Sequence, residues 1–188
     1  MDIREALDLI LSTLVVFLAF SISYVFAGDI KMVMAYLLAT ITAFLFHELA
    51  HRGVARSRGV YAVYRAWYPG LLIALIFAIG TRGRFIIVAP GAVEVYMPIY
   101  IPTLEASIAL AGPLTNIIIA IVCLPLLQLH VPGVSTYIHV VGYVNAFLAF
   151  FNLLPIPPLD GFKVLRGSKA RWLIAFLLAI VTLLVYIF

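Results

Sequence analysis

The apolar runs constrain the fold most. Residues 9–27, 32–54, 104–128, 137–154 and 172–188 each approach the length that crosses a hydrocarbon core, roughly 20 residues for about 30 Å. Backbone polar groups in lipid need partners inside their own segment, so such runs must be helices. Of the 188 residues, 65% are hydrophobic and 11% charged, against about 25% charged in an average soluble domain. The sequence predicts an α-helical polytopic membrane protein with about five transmembrane helices, folded as one domain over 1–188 with its core at about 32–165. The net charge of +4 is carried at segment ends. That pattern fits cytoplasmic loops and argues against a nucleic-acid partner, which needs a basic face. The lone Cys123 lies in an apolar run and makes no disulfide framework. The first run is too long, and too poor in small residues at its end, for a cleaved signal peptide.

Two segments differ from the rest. YPGLLIALIFAIG, residues 68–80, is too short to cross easily and reads as re-entrant or interfacial. RFIIVAPGAVEVYMPIYIP, residues 84–102, is rich in β-branched and aromatic residues. It predicts a small membrane-associated β-hairpin turning at Pro90-Gly91. If 68–80 does not cross, Arg4, Arg52, Arg56, Arg58, Arg65, Arg82, Arg84, Lys163, Arg166, Lys169 and Arg171 share the cytoplasmic side. That is 11 of the 12 basic residues, with Lys31 opposite, as the positive-inside rule prefers. If it does cross, the bias nearly vanishes. The first topology places the ends of the second and fourth long runs on one side.

The second long run ends in FHELAHR, residues 46–52. Two imidazoles and a carboxylate there are costly unless they are paired or functional. On a helix His47 and His51 stand one turn apart on one face, a spacing that suits a zinc ion. Glu48 lies roughly 100° round the helix, beside the ion, where a general base for an activated water belongs. His47 falls about 22 Å along the helix from Met32, in the cytoplasmic third of the membrane.

A catalytic zinc usually has three protein ligands and one open position. NLLPIPPLDG, residues 152–161, breaks its helix with Pro155, Pro157 and Pro158. Unwound backbone at membrane depth belongs beside a cavity. Asp160 is its one ionisable side chain. It reads either as the third ligand or as the cap of a short following helix.

FHELAH, AGPLTN (residues 111–116) and NLLPIPPLDG, in that order, resemble the site-2 protease family of intramembrane zinc metalloproteases. The resemblance covers about residues 40–165. It implies His47, His51 and Asp160 as ligands of one zinc ion per chain, and Glu48 as the catalytic base. It implies Asn152 as a contact to substrate or transition state. AGPLTN reads either as close helix packing through Ala111 and Gly112 or as a substrate contact through Asn116. The 88–95 stretch either pairs with an unwound substrate strand or is a plain structural hairpin.

The function this implies is a zinc-dependent endopeptidase cutting within or beside transmembrane segments of a protein substrate. It would be a multi-pass protein of the cell membrane with its site toward the cytoplasm. The alternative is a non-catalytic metal-binding membrane protein, a transporter or a helix-binding scaffold. Arg52, where such motifs commonly carry a small residue, and the 68–80 segment depart from the family pattern. The short loops predict a compact form without a PDZ or C-terminal regulatory domain.

Overall fold

The computed structural model describes residues 1–84 and 90–188. Helix α1, Ile3–Ala27, starts on Asp2, whose carboxylate accepts the Glu5 N–H at 2.6 Å. It stops at Gly28, where a left-handed φ of 70° suits only glycine well. Asp29 then caps the next helix through the Met32 N–H. Helix α2 (Ile30–Thr40), a π-helical turn (Ile41–Leu45) and α3 (Phe46–Ser57) run on as one helix of 28 residues. The Thr40 and Thr42 hydroxyls donate to carbonyls one turn back, a contact that loosens a helical ladder. The π-turn leads straight into HELAH.

Strand β1 (Tyr61–Ala66), helix α4 (Tyr68–Gly80) and strand β2 (Gly91–Tyr96) follow. Then come α5 (Pro102–Gln128), α6 (Ser135–Asn152), α7 (Asp160–Gly167) and α8 (Lys169–Ile187). Among the described residues, four helices are long and apolar enough to cross a membrane: α1, the α2–α3 helix, α5 and α8. The fifth expected span is α6. It has 18 residues, carries Asn145 and His139, and packs against α2, α5 and α8. The helices meet on small residues. Ala35, Ala39 and Ala43 face Val140 and Val144, and Ala120 and Ala146 meet at Cys123 and Tyr186. Small residues let helices approach closely where lipid gives no hydrophobic drive. Large apolar side chains such as Leu72, Ile76, Ile174 and Val181 point outward.

The expected small β-element is present, with a partner strand from earlier in the chain. β1 and β2 form a two-stranded antiparallel pair, Tyr61 opposite Tyr96 and Ala66 opposite Gly91. Gly91 opens β2; residues 85–89 of the expected hairpin lie outside the described residues. The partner strand, YAVYRA, comes before α4, so the pairing spans the whole α4 excursion. Register and alternation favour this pairing, because Ala62, Tyr64, Val93 and Val95 then share the face that packs on the core.

Helix α4 corrects the charge count. It runs beside α1, with Leu71 and Ala74 on Val15 and Ala78 on Ala19 and Ile22. Past its end, Gly83 lies against Ile22 and Ser23, and the Arg82 guanidinium lies 5.9 Å from the Phe26 ring. That turn is at the far end of α1 from Glu5. The chain is back at Pro90, whose carbonyl accepts from Ser12 Oγ at 3.3 Å. The segment therefore enters and leaves on one face but carries its tip to the other. Moving Arg82 and Arg84 leaves nine of the twelve basic residues on the HELAH side, 11 minus 2. Most of the basic residues still gather at the HELAH end.

Candidate metal centre

His47 and His51 face the same way from α3 and are both buried. Their Nε2 atoms are 3.0 Å apart. Asp160 Oδ2 lies 3.2 Å from the first and 3.1 Å from the second. Asp160 arrives there because the proline segment, with a cis Pro157-Pro158 bond, turns the chain from the end of α6 into α7. Gly161 lets α7 start against that end, since a Cβ would overlap the carbonyl oxygens of Leu153 and Leu154. The cap alternative for Asp160 falls. Leu159 holds the N-cap position of α7, and no side chain caps the helix.

Hydrogen-bond chemistry decides where the protons are. His51 Nδ1 lies 2.8 Å from the Ile108 carbonyl, which can only accept. His51 therefore carries its hydrogen on Nδ1. His47 Nδ1 meets Asn116 Oδ1 at 2.5 Å. Asn116 Nδ2 donates to the Ala43 carbonyl at 2.9 Å and to Asn145 Oδ1 at 2.8 Å, so its Oδ1 must be the acceptor and His47 the donor. Both Nε2 atoms thus present bare lone pairs to a carboxylate oxygen. Three acceptors at 3.0–3.2 Å repel one another, and a single proton could relieve only one pair. A cation relieves all three. Tetrahedral ligands at about 2.0–2.1 Å from zinc stand roughly 3.3 Å apart, so the spacing fits.

Gly112 on α5 makes room. A Cβ at this position would lie 2.5 Å from both histidine Nε2 atoms. The sequence suggested close packing between helices at Gly112; what it approaches is the pair of ligand nitrogens. Glu48 stands beside them, 8% exposed, and its Oε2 has no hydrogen-bond partner among the described residues. Burying a free carboxylate oxygen is expensive, and it lies in the wall of a cavity of about 1070 Å³. The cavity also takes in Val16 and Phe20 of α1, Phe147 and Phe151 of α6, β2 from Gly91 to Val95, and Lys163 of α7.

Asn152 lines this cavity, with Nδ2 on the Leu148 carbonyl at 3.1 Å. Asn116 does not. It is fully buried behind His47 with both ends of its amide engaged. Of the two readings open for AGPLTN, packing or substrate contact, the geometry shows Asn116 holding the His47 ring, because α5 turns its Asn face into the bundle. Asn145 was missed. It continues the chain from Asn116 to Thr42 Oγ1 at 2.9 Å and the Val141 carbonyl at 2.8 Å. An asparagine inside VVGYVNAFLAFF was the available signal, since polar residues in spans are retained for a reason. Arg52 turns off the ligand face onto Glu5 of α1.

Comparisons with known proteins meet this geometry. The family model of Peptidase family M50 matches residues 127–173, which carry α6, the proline segment and Asp160. A Methanocaldococcus jannaschii protein provisionally named a zinc metalloprotease is 43% identical over 173 residues, 91% of this chain and 88% of its own length. A second zinc metalloprotease of that organism is 28% identical over 129 residues, 68% of this chain and 32% of its length. A Bacillus subtilis protein, also provisionally named a zinc metalloprotease, is 29% identical over 152 residues, 71% of this chain and 68% of its length. No solved structure matches.

Proposed function

This chain belongs to peptidase family M50 and is a zinc metalloprotease, and we propose that it cuts peptide bonds within or beside transmembrane segments of other membrane proteins. The observation that carries the reading is the convergence of His47 Nε2, His51 Nε2 and Asp160 Oδ2 inside a bundle of lipid-facing helices. His47 lies ten residues before the Ser57 end of its helix, about 15 Å at 1.5 Å per residue. That is below a membrane surface. In this proposal the three residues hold one zinc ion per chain, in the cell membrane and toward the cytoplasm.

Zinc in such a site polarises a carbonyl and brings the pKa of a bound water to about 7. The chain's own groups do the rest. Glu48, with its free Oε2, takes the proton of the attacking water and passes it to the leaving amine. Asn116 and the Ile108 carbonyl keep both imidazoles in the ligating tautomer. Asn152 meets the substrate from the cavity wall. The apolar side chains Val16, Phe20, Phe147 and Phe151 give an incoming helix a lateral path between α1 and α6.

Proteolysis needs an extended backbone, and β2 offers a template for one. Trp67 N–H donates to the Pro90 carbonyl at 3.0 Å, which makes 67 and 90 a hydrogen-bonded pair. Antiparallel alternation then puts 65–92 and 63–94 in bonded pairs. The N–H and C=O groups of Gly91, Val93 and Val95 point away from β1, on the edge that lines the cavity.

The test is cleavage of a model transmembrane substrate in detergent. Glu48→Gln should keep its zinc and lose about 10²–10⁴-fold in kcat, and chelation should stop the wild type. Cleavage that survives chelation, or proceeds unchanged in the variant, rejects the reading. A metal-binding scaffold would give zinc without cleavage in the wild type.

A further inference from the structure

We propose that Glu5, Asp8 and Arg52 form a clamp that closes the outer edge of the sheet and sets where the β2 edge stands over the metal centre, so that they select which peptide bond is cut. The inference rests on β2 pairing with substrate.

Arg52 directly follows the second histidine. Its Nε donates to Glu5 Oε1 at 2.7 Å and its Nη2 to Oε2 at 3.3 Å. The same Oε1 accepts the backbone N–H of Tyr64 in β1 at 3.2 Å. Arg56, one turn on, reaches Oε2 at 3.9 Å and donates to the Ala62 carbonyl. Glu5 is 1% exposed, so each of these partners is needed to offset its lost hydration. One turn along α1, Asp8 repeats the pattern. Its Oδ2 accepts the Ala66 N–H at 3.4 Å and its Oδ1 the Tyr68 hydroxyl at 2.6 Å.

Tyr64 and Ala66 are two apart on a strand, so their N–H groups lie on one edge. Glu5 and Asp8 are three apart on a helix, so their carboxylates are neighbours. The two carboxylates stand where the carbonyls of a third strand would stand. An open sheet edge would recruit any extended chain; this one is closed on the β1 side and, among the described residues, carries no strand on the β2 side. Arg52 then ties that closure to the helix bearing His47, Glu48 and His51. Through Glu5, Tyr64 and the facing Val93, the ligand helix and the substrate edge share one frame. Arg52, Glu5 and Asp8 are positioning residues, since none touches the reacting atoms.

A strand that loses its frame slips by two residues if it keeps its side chains on the same faces. Glu5→Gln and Arg52→Ala should therefore keep one zinc per chain, raise KM about tenfold, and yield extra products cut two residues from the wild-type bond. Arg52→Lys keeps the charge but not the fork and should fall between. Product masses, KM, kcat and zinc content are read together on a transmembrane substrate. An unchanged single cut with unchanged KM overturns the clamp, as does loss of zinc in step with activity, which would place Arg52 in the service of the ligand helix alone. If Glu5→Gln does not fold, Tyr68→Phe decides, since it removes one donor to Asp8 and leaves the Arg52–Glu5 pair. Displaced products support the clamp, and a single unchanged cut overturns it. A wild type that cuts no such substrate sinks the proposed function; variants that keep the wild-type bond sink only the clamp.

Discussion

Two sets of polar groups hold the site, and they differ in charge. Behind the histidines stand neutral groups: Asn116, Asn145, Thr42 and the carbonyls of Ala43, Ile108 and Val141. Between α1 and the sheet stand full charges: Glu5, Asp8, Arg52, Arg56 and Arg65. Neutral amides impose direction on a proton without adding a further negative charge to a centre that already gathers three acceptors. Charged pairs do the opposite task. They pull α1, α3 and β1 together at the end of the bundle with the basic loops, where paired ions are tolerated. The neutral set should therefore control metal, and the charged set should control substrate placement.

The sharpest break in the neutral set is Gly112→Ala. The added methyl would occupy the space at both Nε2 atoms, and α5 is held there by its packing on α3, α6, α7 and α8. The expected outcome is a folded protein without bound zinc and without activity, read by metal content and cleavage of the same substrate. Full zinc occupancy in this variant would mean the metal does not sit on that face of the histidines. Asn116→Ala comes next. Loss of the partner that orients a ligand typically lowers metal affinity 10–100-fold, and competition against a chelator measures it. Asn145→Ala, one hydrogen bond further away, should fall below Asn116→Ala in the same assay. If Asn145→Ala exceeds it, the neutral chain acts on the bundle and not on His47.

The same contrast explains what was legible in the sequence. HELAH and LDG stood out because an apolar context gives such groups few reasons to be there, and composition alone fixed the long helices within a few residues. Tyr61–Ala66 was not legible as a strand. It holds an arginine among loop-like basic residues, and its partner lies beyond α4, so no local pattern announces the pair. Arg82 and Arg84 were assigned by the assumption that a segment too short to cross stays near one face. Helix α4 spans about 20 Å at 1.5 Å per residue, and lying along α1 carries it to the far end. Glu5 and Asp8 precede the first apolar run and form no motif with their neighbours. Their meaning comes from Tyr64 and Ala66, nearly sixty residues on, a distance no periodicity reaches.

The smallest effect belongs to the edge of the charged set. Arg65 has two carboxylates near it: Asp8 at 3.9 Å, 2% exposed, and Asp2 at 3.8 Å, 52% exposed. Distance does not separate them, but solvent does, since water and salt screen the outer pair. Asp2→Asn removes that pair and keeps an oxygen to cap the Glu5 N–H. It should leave KM and the cleavage site unchanged and lower the thermal midpoint in detergent only slightly, whereas Asp8→Asn should move all three clearly. The Glu5 N–H also holds the Asp2 carboxyl below the usual carboxylate range, aided by nearby Arg65 and opposed by the little burial it has. A carboxyl lowered in the folded state adds stability above its unfolded pKa and loses it as pH falls through the folded value. Asp2→Asn should therefore lose a slight stabilisation near neutrality and match the wild type at acid pH, where the wild-type carboxyl is protonated. A displaced cleavage site in Asp2→Asn would show that exposed charge, too, holds the sheet, and the boundary between the two sets would have to be redrawn.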